Sequence, residues 1–115
     1  MSQNSLIQNT IRDLEAKIQT SENLTPGQRV ELLNLVKSLS SEVDLLAVTH
    51  QEDAGSIADF AQVTTNQVLR TQQNPALLKA SVTALETSVE KFEASHPSLT
   101  QAVNTFCNYL SGMGI

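Results

Sequence analysis

Few side chains in this sequence are of the types that do chemistry. Histidine stands at positions 50 and 96, and cysteine at 107 alone. Glu93-Ala94-Ser95-His96 has the Glu-x-x-His spacing with which carboxylate-bridged di-metal bundles hold their ions. Such a site needs two of these pairs and a glutamate from each of two other helices. Here Ala47 occupies the place three residues before His50, so the second pair is missing, and Pro97 breaks the helical register beside His96. A metal ligand set is therefore not expected, and His96 reads as the start of a helix, capping it or facing water. Glu86, Glu90 and Glu93 recur at helical spacing. Three carboxylates can bind a hard cation when further fixed oxygens complete the shell, but Lys91 lies among them and nothing else is supplied. That face reads as solvated, or as a docking face for a basic protein. Cys107 has no neighbouring cation or paired histidine in sequence to make it a thiolate, so it reads as a buried, inert thiol. His50 with Glu52 and Asp53 has the makings of an acid–base cluster, yet it falls in a polar link between helices. No Gly-rich phosphate loop, Cys-x-x-Cys pair or strand–Ser–helix elbow occurs. The expectation is a protein without catalytic residues, cofactor or metal.

Charge narrows the partners. The chain of 115 residues carries 12 acidic and 7 basic side chains, a net charge of −5. The cations (Arg12, Lys17, Arg29, Lys37, Arg70, Lys79, Lys91) never form a run, which argues against a phosphate backbone and against an anionic membrane surface. Aromatic residues make up 3% of the chain, too few for a base-stacking platform. One cysteine allows no internal disulfide, so a reducing compartment fits. The N-terminal stretch has neither a basic start nor an apolar centre, and no apolar run approaches the ~20 residues that span a bilayer. A cytoplasmic protein is expected.

Any site must be positioned by helices, because the apolar residues recur with helical period throughout. Thr25 to His50 carries the longest stripe: Leu32, Val36, Leu39, Val43 and Leu46 step by 4, 3, 4 and 3, a Val/Leu heptad seam. Thr25 is its expected N-cap, Pro26 the first helical residue and Gln28 the partner that closes a capping box, with Leu24 stapled onto the first turn. Gln3 to Thr20 precedes it with Ile7, Ile11, Leu14 and Ile18 on one face. The short link Ser21 to Asn23 makes these two helices a hairpin. Leu33 and Leu35 widen the apolar face of the second helix, so it should meet more than one neighbour.

A polar stretch from Thr49 to Ser56 interrupts the pattern. A third helix, capped by Asp53 or Ser56 and running to about Gln73, would show Ile57, Phe60, Ala61, Thr64 and Val68. This stripe is weaker and more polar, which predicts a peripheral or least stable helix. Asn74-Pro75 starts the fourth helix, where Leu78, Val82, Leu85, Val89 and Phe92 repeat the Val/Leu spacing. His96-Pro97 starts the fifth, with Leu99, Val103, Phe106 and Leu110, Cys107 beside them, Met113 beyond and Gly112 as a stop. The fold expected is all-α: a helical hairpin (1–48) plus further helices (53–115) in one helical domain, a bundle closed by oligomerisation.

The later half resembles a known family. Asn74-Pro75-x-Leu77-Leu78, Ser88 to Pro97 with its Phe92-Glu93-x-Ser95-His96-Pro97 motif, the closing Gly114-Ile115, Ser56-Ile57-Ala58-x-Phe60 and Arg70 are similar to an uncharacterised bacterial family of short helical proteins, a domain of unknown function. The resemblance covers about residues 50–115. It implies no activity. It implies that Phe92, Ser95, His96 and Pro97 form a structural corner between the last two helices. Members often carry His-Glu shortly before the residue matching Arg70; Asn66 and Gln67 stand there here, which counts against a catalytic or metal role for that region.

These readings favour a non-enzymatic helical interaction or scaffolding protein that self-associates, as a dimer, through the seams Leu32–Leu46 and Leu78–Phe92. An acidic regulator that docks on a basic protein through Glu86, Glu90 and Glu93 is the alternative, and a metal-binding bundle enzyme comes third.

Overall fold

The computed structural model describes residues 3–113, so the Gly114-Ile115 terminus lies outside the described residues. They form five α-helices: α1 (Gln3–Thr20), α2 (Pro26–Ala47), α3 (Gln51–Leu69), α4 (Pro75–Val89) and α5 (Pro97–Met113), with a single 3₁₀ turn at Glu90–Phe92. The three prolines stand at the first residues of α2, α4 and α5, where the missing N–H is one that the helix leaves unpaired anyway. Thr25 and Gln28 close the expected capping box, each side chain bonded to the other's backbone N–H at 3.1 and 3.0 Å. The Asn74 side chain accepts from the N–H groups of Ala76 and Leu77.

Successive helices run up and down. α2, α3, α4 and α5 make a closed ring, each touching the next and α5 touching α2, and α1 lies outside in the groove between α2 and α3. Lys17 Nζ bonds Asn66 Oδ1 at 3.0 Å and Ile7 packs near Gly55, so α1 and α3 are parallel. The chain has two distinct ends as a result. The links 21–25 and 70–74 share the hairpin end, where Asn23 Nδ2 bonds the carbonyl of Leu69 at 2.7 Å. The link 48–50 and the corner 90–96 share the opposite end. The whole measures 37 × 26 × 21 Å, and its long axis is close to the ~33 Å that a 22-residue helix such as α2 spans.

The third helix corrects the expectation of a peripheral one. It touches all four other helices. Ala54, Ala58, Ala61, Thr65 and Val68 are buried on it and step by 4, 3, 4 and 3, the spacing of the other seams. Small residues let neighbouring helix axes approach, because interaxial distance is set by the side chains at the contact. The weakness of its stripe was smallness, and smallness is what a central helix needs. Thr64 and Thr65 turn their hydroxyls back to the carbonyls of Phe60 and Ala61 at 2.7 and 2.9 Å, so burial leaves neither unpaired. Phe60, expected on the buried stripe, is 36% exposed.

Boundaries differ as well. α3 begins after His50 rather than at Asp53 or Ser56, and it ends at Leu69 because Arg70 turns to extended backbone, ψ 142°. Its last carbonyls are taken by amide side chains: Val68 by Gln73 and Leu69 by Asn23. Gly112 stands inside α5 and does not stop it.

Both Val/Leu seams point into this chain's own core. Leu32, Val36, Leu39, Val43 and Leu46 are each 0% exposed, and Leu78, Val82, Leu85, Val89 and Phe92 are buried with them in one cluster. No second chain is needed to cover either stripe. The ring α2–α5 brings them together, each fully buried Leu or Val contributing roughly 1.5–3 kcal/mol.

Candidate functional site

Of the residues singled out for chemistry, the two histidines and the carboxylates next to them gather at the end opposite the hairpin, while Cys107 lies buried within α5. His50 is the residue before α3, and its backbone carbonyl accepts from Ala54 at 3.0 Å. His96 is the residue before α5, and its carbonyl accepts from Leu99 and Thr100. Two connections far apart in sequence thus deliver one imidazole each to the same place. The His50 and His96 ring centroids are 6.1 Å apart. Phe92 lies edge-on to both, at 5.1 and 5.6 Å. Thr49 Oγ1 sits 2.8 Å from His50 Nδ1, and Ser95 Oγ 2.9 Å from His96 Nδ1.

The corner implied by the resemblance is present. After α4 the 3₁₀ turn swings Phe92 inward, the N–H of His96 bonds the carbonyl of Phe92 at 2.7 Å, and Pro97 begins α5. Lys91, beside Phe92, reaches Asp53 on α3 at 2.8 Å, and its ammonium stands 5.4 Å from the Phe92 ring centroid. This pair ties the corner to the first turn of α3. It is substantially exposed, so its contribution to stability is at most about 1 kcal/mol.

The acid–base reading of His50 fails on geometry. Asp53 is engaged by Lys91, and the His50 Nδ1 partner is a threonine. The stack of Glu86, Glu90 and Glu93 is interrupted too, because α4 ends at Val89 and the 3₁₀ turn changes the register. Glu86 is half-buried beside the α4–α5 groove, while Glu90 and Glu93 are exposed. Among the described residues, no group of three or more His, Cys, Asp or Glu could hold a metal ion. Cys107 is 1% exposed. Burial, with the Glu86 carboxylate adding to it, pushes its thiol up to about 12, so it is not a nucleophile near neutral pH.

Open grooves mark the surface. The one between α4 and α5, about 460 Å³, is lined by Leu78, Val82, Thr83, Glu86, Asn108 and Ser111. Another, between α1 and α3, is about 280 Å³. Neither groove gathers His or Cys.

Charge, in contrast, is strongly sorted along the bundle. Among the described residues the histidine end carries Glu42 and Asp44 near the close of α2, Glu52 and Asp53 in the first turn of α3, and Glu90 and Glu93 at the corner, against Lys91 alone. The hairpin end is close to balanced, with Lys17, Arg29, Arg70 and Lys79 against Glu15, Glu22 and Glu31. Exposed Leu45 and Val48 stand among the acidic residues of the α2–α3 link. The sequence singled out the corner carboxylates and, beside His50, Glu52 and Asp53, but not Glu42 and Asp44 of α2. The missing signal was topology: only the up–down order of the helices brings these three stretches to one end.

Residues 32–115 match the family described as Domain of unknown function (DUF4404). The match covers well over half of the chain, and the chain belongs to this family. It begins inside α2, so it takes in nearly the whole ring α2–α5 and leaves α1 outside. No curated protein and no solved structure matches the chain.

Proposed function

We propose, for this member of a family of unknown function, a non-enzymatic role as a helical interaction protein that docks on a basic protein partner through its acidic histidine end. The observation that carries this reading is the sorting of charge: among the described residues six carboxylates, Glu42, Asp44, Glu52, Asp53, Glu90 and Glu93, face one ammonium there. Such a field steers a cationic partner and fixes its orientation. Leu45 and Val48 offer the apolar contact that the charges alone would lack. Burial of the Val/Leu seams moves any self-association away from them, since an interface cannot use side chains already spent in the core.

Zero-length carbodiimide coupling in an extract of the native host tests this, because it joins a carboxylate to a lysine in direct contact. The expected products link Glu42, Asp44, Glu52, Glu90 or Glu93 to lysines of another protein and disappear at high salt. Coupling confined to Glu22 and Glu31, or only between copies of this chain, would contradict the reading.

A further inference from the structure

We infer that His50 and His96 form a shared, exchangeable site for one divalent late transition-metal ion, such as zinc or nickel. Imidazole suits these ions among the side chains available here. With metal–nitrogen bonds of about 2.0–2.1 Å, two imidazoles on a tetrahedral ion have ring centroids about 5 Å apart; these stand 6.1 Å apart, so the rings need draw together by only about 1 Å, which the exposed His50 allows.

The hydroxyl contacts at Nδ1 leave Nε2 as the ligating nitrogen of each ring. Each Nδ1 is engaged by the hydroxyl of the preceding residue, Thr49 or Ser95. In the tautomer with its proton on Nδ1, the ring donates to that hydroxyl oxygen and presents the Nε2 lone pair. Metal-ligating histidines are commonly held in this way through their second nitrogen. Phe92 packs edge-on against both rings and limits their rotation. His50 is exposed and His96 partly so, which leaves a path from solvent. The helix N-termini behind both rings carry partial positive charge. Glu52 and Asp53 in the first turn of α3 and Glu93 beside His96 offset it, and the Lys91 ammonium is itself offset by Asp53. Among the described residues no larger ligand cluster forms. Water therefore completes the coordination, and the ion exchanges instead of holding the fold together.

The inference stands apart from the docking reading and is tested without a partner. The chain has 2 histidines, so imidazole signals report this site alone. Zinc chloride is titrated into the full chain while the ring resonances are followed by ¹H–¹⁵N NMR and the heat by calorimetry. The expected result is saturation at one equivalent, with both Nε2 signals moving together. His50→Gln and His96→Gln should each weaken binding by at least about tenfold, with helicity by circular dichroism retained. Ring signals in the wild-type chain that stay still up to millimolar zinc, or move with only one histidine responding, would overturn the inference. So would saturable binding that survives in the double variant.

Discussion

The Arg29 guanidinium donates to the carbonyl of Ile18 at 2.6 Å, joining the first turn of α2 to the last turn of α1. Further bonds reach Gln19, Ser21 and Leu24. A helix C-terminus leaves four carbonyls without helical partners. Here one planar fork supplies donors to several of them, and with them fixes the angle of the hairpin. Arg29→Ala should cost about 1–3 kcal/mol in denaturant unfolding. Arg29→Lys should recover little, because a single ammonium cannot reproduce the fork. Full recovery by lysine would show that charge, not geometry, is what matters.

Leu39 distinguishes a core from an interface. It is fully buried within one chain, so Leu39→Ala should lower stability by about 2–5 kcal/mol. The loss should be the same at low and high protein concentration. Stabilisation through a subunit interface would instead make the melting temperature depend on concentration.

Crowding on α3 gives the opposite kind of test. Ala61 is 0% exposed on the helix that touches every other. Ala61→Leu should destabilise by about 1–3 kcal/mol through overpacking. The half-exposed Val63 one turn-face away should accept alanine at small cost. A neutral Ala61→Leu would mean that α3 is as loosely held as its weak stripe suggests.

That stripe shows what the sequence made legible. Five helices, their proline starts and the capping box could be read directly, because each depends on contacts within a few residues. The central place of α3 could not, since small buried residues such as Ala54 and Ala58 carry little hydrophobic signal. The Val/Leu seams were recognised as seams, but their spacing does not say whether the partner is the same chain or another. The meeting of His50 with His96 depends on which ends share a side of the bundle, a long-range relation that no local pattern encodes.

Cys107 sets a pH dependence at the alkaline side. Burial first, and the Glu86 carboxylate second, raise its thiol from the ordinary 9.0 to about 12. The unfolded chain therefore releases this proton first. Stability from keeping the thiol neutral is complete below pH 9.0 and is lost as pH rises toward about 12. Cys107→Ala should show a shallower fall in stability than wild type across that window. In the folded wild-type chain at pH 8, a thiol reagent should react only as fast as the chain opens. Rapid, full labelling of the native protein would contradict the burial.

Paired charge variants test docking through the acidic end most directly. One variant carries Glu42→Gln, Asp44→Asn, Glu52→Gln, Glu90→Gln and Glu93→Gln; the control carries Glu22→Gln, Glu31→Gln, Asp13→Asn and Glu15→Gln. The partner found by carbodiimide coupling is purified, and its affinity for each chain is measured against salt concentration. The expected result is loss of binding and of its salt dependence in the first variant, with the control close to wild type. Equal affinity of both variants for that partner, with the fold of each intact, would contradict docking through the histidine end.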